Sequence, residues 1–146
     1  MLYSAWGWII GGIGAALLFG ISGVLQKSGM QRGLALGPYL VAAGLAIAVV
    51  GALVWLITRD HRMSAPGLTS AVAFGVVWAL GTLAVAIALQ RYQTPISQLV
   101  PLYNMNTLVA VLLGLVVFGE AADVRVGQLC LGAACIVAGG VLCARA

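Results

Sequence analysis

Few side chains in this 146-residue chain are equipped for chemistry, and most of them fall in one stretch. Between Pro95 and Glu120 the sequence reads PISQLVPLYNMNTLVAVLLGLVVFGE, with Gln98, Tyr103, Asn104, Asn106 and Thr107 crowded into its first half. All five are neutral donors or acceptors, so what they offer is hydrogen bonding rather than bond making. Helical spacing sets Tyr103, Thr107, Ala110 and Gly114 along one stripe, polar at one end and small at the other. Pro101 removes a backbone hydrogen bond beside these groups and loosens a helix there. Two further residues join the set. Gly12, Ala16, Gly20 and Gly23 repeat at three- and four-residue steps, and four residues on stands Lys27. Trp78 falls near the middle of another apolar run, away from the interfacial belt that tryptophan favours. The candidate binding residues are therefore Lys27, Trp78, Tyr103, Asn104, Asn106 and Thr107. Their amides, hydroxyls and one ammonium suit an anionic or sugar-like group better than a cation.

The missing residue types are as informative. The chain has one histidine, His61, and three acids, Asp60, Glu120 and Asp123, all near the ends of apolar runs. No Ser-His-Asp set, metal-ligand spacing or phosphate loop occurs, so neither catalysis nor a cofactor is expected. Cys130, Cys135 and Cys143 all lie in the last apolar run and read as small packing residues. Glu120 reads as a solvated helix-end residue and His61 as a solvated loop residue. Without a carboxylate at mid-depth, the chain lacks the group that exchanges protons for a cationic drug in small four-helix antiporters.

These residues must be positioned by helices in a bilayer. The composition is 63% apolar and 7% charged, against about a quarter charged in a soluble domain. An all-α integral membrane protein follows, with transmembrane helices over about 6–25, 39–58, 68–90, 96–118 and 126–142. At membrane depth the polar cluster of the fourth span should face protein or a cavity. The first apolar run, with no basic residue before it, reads as a spanning helix rather than a cleaved leader. The seven basic residues are scattered singly, which argues against nucleic acid. With five crossings, Arg59, Arg62 and Arg125 fall on one side and Lys27, Arg32, Arg91 and Arg145 on the other. So small a positive-inside bias allows insertion both ways up.

A proline inside the fourth helix, an apolar run and the terminal Gly119-Glu120 resemble the second-to-last helix of an EamA repeat. That repeat is the five-helix half of the drug/metabolite transporter superfamily. Ala88-Leu89-Gln90-Arg91-Tyr92 is similar to the end of its third helix. The likeness covers nearly the whole chain and is strongest over 18–27 and 88–140. It departs at Phe19-Gly20, where the family often has Trp-Gly. The resemblance implies a single five-helix domain over 1–146, one EamA-type repeat where a full-length member carries two. Its partner would be a second copy as an antiparallel homodimer, or another half-transporter. The implied activity is transport of a small metabolite through a cavity between inverted protomers in the cell (inner) membrane. Small relatives suggest one alternative, a flippase for a polyprenyl-phosphate-linked sugar or similar lipid; the featureless second and fifth helices suggest another, a non-transporting accessory subunit. Helices 1, 3 and 4 are expected to line the cavity, with helix 5 at the periphery or the dimer contact.

Overall fold

The structure, a computed structural model, describes residues 5–122 and 124–146. Asp123, one of the acids assigned to a membrane end, lies outside the described residues, as do residues 1–4. The described residues are all-helical, without a strand. Five helices are long and apolar enough to cross a membrane: Trp6–Gln31, Leu36–Thr58, Ala65–Gln90, Ile96–Val117 and Val126–Arg145. They are called helices 1 to 5 below.

Helix 1 runs on to Gln31, past its expected end at residue 25. Lys27, Ser28 and Gln31 lower the local hydropathy, but lysine and glutamine are good helix formers and the backbone ladder continues through them. It stops at Gly33, whose φ of 81° places it in the left-handed region. The Gly33 N–H donates to Met30 O at 3.1 Å and the Leu34 N–H to Gly29 O at 3.2 Å, the two bonds of a Schellman closure. Near its start, helix 1 widens into a π-helical turn over Ile9–Gly14. Helix 3 starts at Ala65 because Ser64 Oγ accepts from the Gly67 N–H at 3.2 Å and Pro66 sits in the first turn. Helix 4 is not continuous. It consists of Ile96–Tyr103 and Asn106–Val117, joined through Asn104 and Met105.

The chain divides into two compact units, Met1–Gly23 with Thr94–Ala146, and Val24–Gln93. In Val24–Gln93, helices 2 and 3 pack together, and the last turns of helix 1 meet helix 3 through a small core of Gln26, Met30, Ala86 and Leu89. Gln26 is the polar member, 8% exposed. Its Nε2 donates to Thr82 O at 3.1 Å, and Gln90 Nε2 donates to Leu34 O at 3.3 Å below the turn. Replacing Gln26 with leucine keeps the volume and removes the bond. An interhelical side-chain bond of this kind contributes about 0.6–1.7 kcal/mol in a bilayer. Gln26→Leu is thus expected to lower the thermal midpoint in detergent by a few degrees, and an unchanged midpoint would count against the bond.

In the other unit, helix 5 packs along both halves of helix 4, with Ala133 and Gly140 buried. Within this unit, helix 4 is thus the main neighbour of helix 5. Of the small residues on helix 1, Gly23 meets this unit's core. A Cβ there would lie 3.6 Å from Val100 Cγ2 and 3.7 Å from the Tyr103 hydroxyl. The space around Gly12 and Gly20 is open. Most large apolar side chains, including Leu56, Ile57, Val116 and Phe118, are exposed. An exterior this apolar is what hydrocarbon solvent favours and water does not.

Candidate functional site

The break in helix 4 begins at Pro101, the sixth residue of Ile96–Tyr103. Proline has no N–H to give to Ser97 O, so the ladder is already short one bond there. Downstream it tightens. Met105 N donates to Leu102 O at 3.1 Å, Thr107 N to Asn104 O at 3.1 Å and Leu108 N to Met105 O at 3.0 Å. These are three i→i−3 bonds, the geometry of a 3-10 turn. Thr107 Oγ1 also donates to Asn104 O at 2.8 Å, so one threonine side chain helps hold the break.

Pro101 O, displaced from the regular ladder, lies against helix 5 at Gly140. A Cβ on Gly140 would come within 2.7 Å of that oxygen, a separation real Cβ atoms essentially never show. Only a residue without a side chain lets the two backbones approach this closely, in the range where Cα–H···O contacts form. Neither Gly140 nor Gln26 stands out in the sequence. A buried amide and a lone backbone contact across helices leave no periodic signal.

Of the five polar residues expected in helix 4 to face protein or a cavity, three, Gln98 among them, are half-buried. Tyr103 and Thr107 are half-buried, whereas Asn104 and Asn106 are exposed. Asn106 shares its outward stripe with Leu102 (38% exposed), Val109 (58%) and Leu113 (53%). Among the described residues, neither asparagine side chain has a hydrogen-bond partner. The arrangement therefore presents two free amides, each with donors and an acceptor, beside a tyrosine and a threonine.

Lys27 and Trp78 belong to Val24–Gln93. Lys27 is half-buried, inside helix 1 rather than beyond its end, and one turn before Gln31. Trp78 is 40% exposed and stands one turn before Thr82, the residue whose carbonyl Gln26 engages. An open apolar groove of about 370 Å³ runs between the second half of helix 4 and helix 5, lined by Leu108, Val111, Leu112, Cys130, Ala133 and Val137 among others. It contains none of the six candidate residues.

The remaining titratable side chains have local partners or lie apart. His61 Nδ1 accepts from Trp55 Nε1–H at 2.8 Å, and the rings meet edge to face at 5.7 Å. The Glu120 carboxylate folds back over the helix end, its Oε2 2.9 Å from where a Cβ on Gly114 would stand. That path is opened by Gly119, whose φ of 68° turns the chain in the left-handed region. Among the described residues no three His, Cys, Asp or Glu side chains gather as metal ligands, and the three cysteines are free and exposed. Compared with protein-family models, curated proteins and solved structures, the chain matches none of them.

Proposed function

We propose that this chain is a multi-pass transporter of the cell (inner) membrane, a single EamA-like repeat of the drug/metabolite transporter superfamily. It carries a small polar metabolite through a cavity formed between two inverted copies. The observation that carries this reading is the break at the middle of helix 4, flanked by Tyr103, Asn104, Asn106 and Thr107. Irregular backbone at membrane depth is tolerated where protein or water covers it, and broken helices at mid-membrane are where transporters place their sites. The amides and hydroxyls at the break would hold the substrate's polar groups; Lys27, in Val24–Gln93, offers a positive charge to an anionic substrate. Trp78 offers a flat apolar face.

A second reading, a flippase for a polyprenyl-phosphate-linked sugar or similar lipid, draws on the apolar groove between helices 4 and 5. A hydrocarbon chain would fit there while the amides held the sugar. A third reading, an accessory subunit without flux of its own, is separated from both by one experiment. The purified chain in proteoliposomes is expected to move a soluble anionic or sugar-like metabolite. Movement of lipid-linked sugar alone would favour the flippase, and no flux of either kind would favour the accessory subunit. Lys27→Gln keeps length and polarity while removing the charge. A charge-assisted hydrogen bond contributes about 1.5–3 kcal/mol, so uptake of an anionic substrate should fall about tenfold or more. Unchanged uptake at equal expression would leave Lys27 as a residue that snorkels to the interface.

A further inference from the structure

We propose that Asn106 of one copy pairs amide to amide with Asn106 of a second, inverted copy, closing the polar site at mid-membrane. The inference rests on the reading of two inverted copies in one bilayer. Its starting point is the isolation of Asn106. The side chain stands outward among Leu102, Val109 and Leu113 and has no hydrogen-bond partner among the described residues. Lipid tails offer an amide neither donor nor acceptor, and burying one unpaired is costly. It cannot reach the interface either. Ten residues precede it and eleven follow it in Ile96–Val117, which leaves roughly 15 Å of helix on each side.

Its position selects the partner. Two copies inserted in opposite senses at the same depth are related by a two-fold axis in the mid-plane of the membrane. On such an axis a residue meets its own counterpart, so the side chain there must be complementary to itself. A carboxylate or ammonium would repel its copy. An asparagine amide, with two donors and an acceptor, forms a closed pair of hydrogen bonds with an identical group. The apolar residues around it then pack across the same axis. Leu102 of one copy meets Ala110 of the other, since each stands four residues from Asn106 on opposite sides. Each copy thus contributes the same amide to one mid-membrane contact.

Disulfide trapping in membranes tests this in a background where Cys130, Cys135 and Cys143 are replaced by serine. Asn106→Cys should cross-link to itself. Leu102→Cys should cross-link to a co-expressed Ala110→Cys chain but not to itself. In an inverted pair the two Leu102 positions lie about 12 Å apart along the helix axis, beyond the roughly 7 Å between Cα atoms that a disulfide spans. Separately, in the native-cysteine chain, Asn106→Ala should weaken dimerisation in detergent about tenfold through loss of the paired bonds. A Leu102–Leu102 cross-link would show a parallel pair and overturn the proposal. So would a dimer whose Asn106→Cys copies stay apart, or a dimer that Asn106→Ala leaves as tight. A chain that remains monomeric in native membranes overturns it as well. Intact cross-links without flux would instead remove the transporter reading and leave the pairing standing.

Discussion

Gly140→Val should strongly destabilise the fold in detergent, while Gly139→Ala, one residue away, should be silent. At Gly140 the first added carbon would meet Pro101 O at 2.7 Å, Pro101 C at 3.4 Å and Met105 Cγ at 3.6 Å. The nearest of these atoms is backbone, so no rotamer change relieves the clash. Helix 4 must move off helix 5, or the break must be rebuilt. Overpacking a well-packed site costs about 1–3 kcal/mol and occasionally more. Valine's two further carbons and the rigid partner place this case at the upper end, a loss of roughly a hundredfold in folding equilibrium. Beside it, a Cβ on Gly139 meets nothing within 4 Å. Size-exclusion profiles and thermal midpoints of the two variants measure the contrast directly. Equal behaviour would mean that the Pro101–Gly140 approach does not hold the two helices together. Because Thr107 and Asn104 are held by the same break, loss of this contact should also disorder the polar site.

The second large effect concerns orientation. A reporter fused at Ala146 should give comparable signals from both sides of the membrane. Adding two lysines to the turn between Thr58 and Ala65 should then move it almost entirely to one side. Arg59, Arg62 and Arg125 oppose Lys27, Arg32, Arg91 and Arg145. Helix 1 extends to Gln31, so Lys27 lies within a helix and not in the turn that follows it. That evens the balance of loop charges further. Basic residues near span ends determine which loops stay cytoplasmic, and acidic ones contribute little. Two lysines in that turn hold it inside and send Ala146, on the opposite side after five crossings, outside. The ratio of externally to internally active reporter should rise about tenfold if the added charges contribute about 1.4 kcal/mol: the external signal nearly doubles and the internal one falls about fivefold. A single location in the unmodified chain would sink dual orientation and with it the inverted homodimer. A partnership with another half-transporter would then be the reading to test.

How much of this was legible beforehand follows from which forces are local. The five apolar helices could be read directly, because hydrophobicity sums along the chain and each span reports itself. The break in helix 4 was half legible. Pro101 announced a lost bond, but the three i→i−3 bonds at Met105, Thr107 and Leu108 arise from how the backbone recovers afterwards. Tyr103 and Thr107, which helical spacing already places on one stripe, turn inward, while Asn104 and Asn106 turn out. The end of helix 1 was hidden by polar residues that lower hydropathy without stopping a helix, and Gly33 closed it instead. Composition thus determined that these residues form apolar helices with a weak point at Pro101. Tertiary structure alone decided that Pro101 O meets Gly140 and that Gln26 reaches Thr82. Those contacts join residues far apart in the chain, and close approach depends on where two backbones come to lie, which no local pattern records.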